Sequence, residues 1–103
     1  MPPELLDFCD RWRIQEVALF GSILRDDFTD RSDVDILVRW ELDTHWTLLD
    51  RADMKYELEA LLDRRVDLVS RRAIEQSENP LRRAAILNTA RTIYARPRST
   101  ISI

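Results

Sequence analysis

This chain has little of several residues that usually announce a function. It has one glycine (Gly21), one cysteine (Cys9) and one histidine (His45) among 103 residues. A lone cysteine cannot close an internal disulfide, and one histidine with one cysteine cannot complete a zinc set of the usual kind. Cys9 lies among Leu5, Leu6, Phe8 and Trp12, a setting that predicts a buried core thiol. No apolar run is long enough to span a bilayer and no signal-type segment opens the chain, so the expected location is the cytoplasm, with no membrane partner. Lysine is nearly absent too: Lys55 is the single exception among 16 basic residues.

Charge is unevenly placed. Residues 1–70 hold 17 acidic and 9 basic side chains, a net of −8; residues 71–103 hold 2 and 7, a net of +5. The arginine-rich third suits phosphate or carboxylate pairing, or a solvated basic face. The overall charge of −3 argues against general nucleic-acid binding, which depends on neutralising phosphates.

With glycine so scarce, Gly21 stands out. It follows the apolar run Ile14–Phe20 and precedes Ser22, as a tight turn or a close approach to a ligand requires. The next apolar run, Asp33–Trp40, carries Asp33 and Asp35 at i and i+2, on one strand face with Leu37, while Val34, Ile36 and Val38 take the other. Two carboxylates side by side repel unless a cation lies between them, so they read as metal ligands or as a solvated strand face. Asp67, in the strand Arg65–Ser70, reaches the same face if the two strands are neighbours. Hard divalent cations such as Mg²⁺ favour such oxygen sets, completed by water and substrate phosphates.

Around these strands the pattern predicts helices over 3–12, Thr44–Asp63 and Asn79 to about Ala90, with Arg71–Gln76 a short helix at best. Asp43 or Thr44 would cap the long helix, which would bury Leu48 or Leu49, Ala52, Tyr56 and Leu61 or Leu62. Asn79 would cap the last, with Pro80 in its first turn and Leu81, Ala84, Ala85 and Leu87 or Asn88 inward. Residues 26–32 read as a loop and Thr92–Tyr94 as an edge strand. The expected architecture is α/β (α+β), a small mixed sheet with helices mainly on one face. It forms one domain over 1–96, with a flexible tail at 97–103.

Gly21-Ser22, ten residues, then Asp33-Val34-Asp35, with Asp67 on a later strand, resembles the signature of the DNA polymerase β-type nucleotidyltransferases. The size and the extent of the match resemble the minimal nucleotidyltransferase (MNT) antitoxins of HEPN–MNT toxin–antitoxin pairs. That resemblance implies Mg²⁺-dependent transfer of AMP from ATP, with two ions, to a tyrosine of a HEPN ribonuclease toxin. It implies that Asp33, Asp35 and Asp67 hold the metals, with Asp67 also drawing the proton from the acceptor hydroxyl. Gly21 and Ser22 would hold the β- and γ-phosphates, and Arg25 matches a basic position after the Gly-Ser pair. Asp26 stands where many members have glycine. Two other readings stay open: an antitoxin that acts by occlusion alone, and transfer to a small molecule such as an aminoglycoside. With no second domain in view, the site would be complete for the nucleotide and would rely on another molecule to bring the acceptor.

Overall fold

A computed structural model describes residues 3–21 and 33–96. The order is α1 (Pro3–Arg11), β1 (Ile14–Phe20), β2 (Val34–Trp40), α2 (Leu48–Leu62), β3 (Val66–Ser70), α3 (Arg71–Glu75), α4 (Pro80–Leu87) and β4 (Arg91–Ala95). The strands form one mixed sheet in the order β3-β2-β1-β4. β1 runs antiparallel to both β2 and β4, and β2 runs parallel to β3. A parallel pair needs a crossover connection, and α2 supplies it.

The strand alternation read from the sequence decides the layers. Val34, Ile36 and Val38 of β2, with Val17 of β1 and Val66 of β3, pack against Leu5, Phe8 and Cys9 of α1 and Met54 and Leu58 of α2. On the other face, Ala18 and Leu37 meet Ile74 of α3 and Ile86 of α4. The longer helices thus share one face, as expected, while two shorter ones cover part of the other. That second face is the one carrying the carboxylates.

Two helices are rotated from the expected phase. In α2 the buried pair is Met54 and Leu58, while Leu48, Leu49 and Tyr56 are exposed. Polar anchors flank the buried line and set the rotation: Glu57 accepts from Trp12 Nε1 (3.1 Å) and Glu59 accepts from the Val66 amide (2.9 Å). In α4 only Ile86 is buried, and Leu81, Ala84 and Ala85 are exposed. That helix meets the sheet near its carboxyl end. At its start Asn79 does cap, accepting from the Arg82 amide (3.1 Å), and Arg83 Nη1 donates to the Ser77 carbonyl (2.7 Å).

The start of α2 also moves. Thr47, not Asp43 or Thr44, is the cap, in a reciprocal box: Thr47 Oγ1 accepts from the Asp50 amide (3.1 Å) and Asp50 Oδ2 from the Thr47 amide (2.9 Å). The rejected candidates have other partners. Asp43 accepts from Arg13 Nη2 (2.8 Å), which holds its carboxyl below the usual range, and Thr44 Oγ1 donates to the Glu41 carbonyl (2.8 Å). Arg13 has a left-handed backbone (φ 54°), turning the chain from α1 into β1. Cys9 is buried, and burial pushes its thiol up to about 11.

Candidate active site

β1 ends at Phe20, whose register partner is Asp35, so Gly21 leaves the sheet beside that carboxylate. The glycine adopts φ +76°, a left-handed conformation that L side chains rarely take. A Cβ built on it would stand 2.2 Å from Asp35 Oδ2. Glycine is therefore required here twice over, for the backbone angle and for the space that the carboxylate fills.

The parallel register of β2 and β3 supplies the next neighbour. Val34 faces Val66, Asp35 faces Asp67 and Ile36 faces Leu68. Strands in a sheet lie about 4.8 Å apart, so Asp35 and Asp67 emerge side by side on the face opposite the main core. Asp35 is half-buried and Asp67 exposed. Asp33, exposed, precedes Val34, whose amide donates to the Arg65 carbonyl (2.9 Å). The structure thus brings Gly21, Asp33, Asp35 and Asp67 to one end of one face. Ser22 and Arg25, and with them Asp26, lie outside the described residues.

Arg65 was not among the residues that the sequence singled out. Its Nε lies 3.4 Å from Asp33 Oδ1. The pairing Val34 with Val66 and Asp35 with Asp67, extended back by one residue, sets Arg65 across from Asp33. Arg65 is two positions before Asp67, and that alternation was the available signal. Further along the face, Arg71 Nη1 makes an ion pair with Glu16 Oε1 (3.0 Å) and Arg39 pairs with Glu75, tying α3 to β1 and β2. An apolar cavity of about 250 Å³ lies on the opposite face, among Phe8, Leu19, Leu58 and Ile93, and holds no carboxylate.

The residues suit an open magnesium site better than a closed cage. Among the described residues no three His, Cys, Asp or Glu side chains converge as a ready-made cage. Mg²⁺ does not ask for one, since it binds through one or two carboxylates and takes water and phosphate for the rest. Asp35 beside Asp67, with Asp33 two residues upstream and a side-chain-free approach at Gly21, fits that demand.

A family model described as nucleotidyltransferase domain matches residues 5–93. Protein adenylyltransferase MntA of Thermococcus cleftensis is 39% identical over 66 residues, covering 64% of this chain and 65% of that protein. A further relative, from Methanocaldococcus jannaschii, is also spanned over 65% of its length, just under two thirds. A solved structure of a candidate minimal nucleotidyltransferase is 40% identical with a TM-score of 0.63, over 84% of this chain and 82% of that one. The fold alone is shared with one chain of a solved complex between a tri-AMPylated HEPN toxin of Shewanella oneidensis and an MNT antitoxin. There the identity is 20% and the TM-score 0.59, over 90% of this chain and 68% of that one.

Proposed function

The chain belongs to the nucleotidyltransferase domain family, and from that premise we propose that it is an MNT-type antitoxin that transfers AMP from ATP to a hydroxyl of a HEPN-type toxin. The observation that carries this reading is the pair of neighbouring carboxylates, Asp35 and Asp67, beside a glycine whose missing side chain leaves room for Asp35. Support for the acceptor comes from the relative named protein adenylyltransferase and from the fold shared with an AMPylated toxin–antitoxin complex.

Asp33, Asp35 and Asp67 would hold Mg²⁺. Bound there, the cation supplies charge stabilisation for a phosphoryl group and for its leaving oxygen. The rest is the chain's own work. The Gly21 turn brings backbone close to the triphosphate without a side chain in the way. In the transfer, an acceptor hydroxyl oxygen bonds to the α-phosphorus as the bond to the pyrophosphate oxygen breaks. Asp67, exposed at the rim, takes the hydroxyl proton. A tyrosine of the partner is the acceptor in this reading, as the resemblance to the MNT antitoxins implies.

Occlusion is the second reading. It is favoured by one feature, the exposed apolar side chains of α2, with Leu48 at 85% and Leu49 at 79% exposure. The two readings separate when the protein is incubated with a HEPN-type partner protein, Mg²⁺ and ATP labelled at the α-phosphate. Label on the partner that is lost in the Asp33→Asn/Asp35→Asn double variant supports transfer. An unlabelled partner, with neutralisation surviving the double variant, overturns transfer and leaves occlusion.

A further inference from the structure

We propose that Arg65 is a placeholder cation: in the metal-free protein its guanidinium neutralises Asp33, and a divalent cation must displace it to use that carboxylate. The inference rests on the metal-site reading above and deepens it.

The argument starts from register. β2 and β3 pair Val34 with Val66 and Asp35 with Asp67. The Val34 amide donates to the Arg65 carbonyl (2.9 Å), so this pairing continues to the residues just before both strands. Arg65 and Asp67 alternate with Val66, which is buried under α2, so both point to the carboxylate face. Arg65 Nε then lies 3.4 Å from Asp33 Oδ1. Carboxylates on neighbouring positions repel without a cation, and a flexible arginine tethered to the next strand relieves that repulsion at Asp33 without closing the site. Side-chain exposures of 78% for Arg65 and 54% for Asp33 make the pair solvent-screened and weak, which a displaceable contact needs. A buried pair would resist the incoming ion; this one yields. Arg64 offers an internal control, because it carries the same charge one residue away but lines the apolar cavity on the opposite face.

The test is a titration with Mn²⁺ alone, without nucleotide, followed by calorimetry and by the spin signal of the free ion. Arg65→Ala should bind Mn²⁺ about two- to fivefold more tightly than the unaltered protein, the range an exposed ion pair allows. Arg64→Ala should leave the affinity unchanged. The gain should shrink in high salt, where the original pair is already weakened. Arg65→Gln repeats the measurement with the stem retained, and thermal melts confirm that each variant folds. Unchanged or weaker binding in both Arg65 variants overturns the inference, as does an equal gain in Arg64→Ala. Asp35→Asn separates this failure from that of the underlying reading. If the unaltered protein shows no Mn²⁺ binding that Asp35→Asn removes, the metal site falls and the inference with it. If such binding exists and Arg65 does not alter it, the inference alone falls.

Discussion

The carboxylate of Asp35 occupies the space that a side chain on residue 21 would need, with Oδ2 only 2.2 Å from the ideal Cβ position. The turn and the acidic strand are therefore one object, coupled through that shared volume.

Gly21→Ala tests that link. A non-glycine residue held in the left-handed region costs about 1–2 kcal/mol, and the new methyl must also push Asp35 aside. A shift of about 1 Å at a reacting centre can cost on the order of 10²-fold in rate. If the proposed function holds, AMP transfer should fall by about that factor, and the melting temperature by roughly 4–16 °C; unchanged transfer would show that the Asp35 carboxylate can shift without loss.

The Thr47–Asp50 capping box predicts a local stability effect far from the chemistry. Thr47→Ala removes the acceptor for the Asp50 amide and should destabilise the fold by about 1 kcal/mol. For a domain of this size that is a drop of roughly 4–8 °C in melting temperature. Thr44→Ala, one turn too early to cap, should cost less.

Rotation of α2 is checked by a contrast within one helix. Met54 is 0% exposed and Tyr56 64%. Met54→Ala should cost about 2–5 kcal/mol in denaturant unfolding. Tyr56→Ala should stay within about 0.5 kcal/mol in the isolated protein. Similar losses at both sites would mean that the helix sits in another phase.

Glu57 predicts a pH effect. Arg11 donates to its carboxylate, and with help from Trp12 this lowers its pKa below the ordinary 4.5 despite some opposing desolvation. A depressed carboxylate stabilises the fold above its unfolded value, and that contribution is lost as pH falls through the lower folded value. Unfolding free energy should therefore decline below about pH 4.5, and Glu57→Gln should make the decline shallower. A steeper decline in the variant would reverse the assignment.

Much of the site was legible because strands alternate strictly. Asp33, Asp35 and Leu37 on one side and Val34, Ile36 and Val38 on the other followed from period two alone, and the two core clusters agree, with Val34, Ile36 and Val38 in one and Leu37 in the other. Gly21 was legible because glycine is used nowhere else in the chain. Helix phase was harder to read. Leu48, Leu49, Tyr56 and Leu81 looked like core by hydrophobicity, but Glu57 and Glu59 have partners on one side of α2, and polar partners decided which side faced the sheet. The cap at Thr47 was hidden for a similar reason, since Asp43 is drawn to Arg13 by a contact 30 residues back. Arg65 reads in the sequence as an ordinary arginine; its position opposite Asp33 exists only once β2 and β3 are aligned.

That alignment works like a shared reading frame. β2 spells its acidic letters on every second residue, and β3 contributes Asp67 only while the two strands stay in step. A slip of one residue would turn Asp67 toward α2 and bring Val66 or Leu68 to the carboxylate face instead. The short link between α2 and β3, residues 63–65, keeps the count: Asp63 turns left-handed (φ 54°) to end the helix, and the Val34 amide on the Arg65 carbonyl fixes where the strand begins. An insertion or deletion in those three residues would be a frameshift in space, erasing a carboxylate from the site without altering a single aspartate.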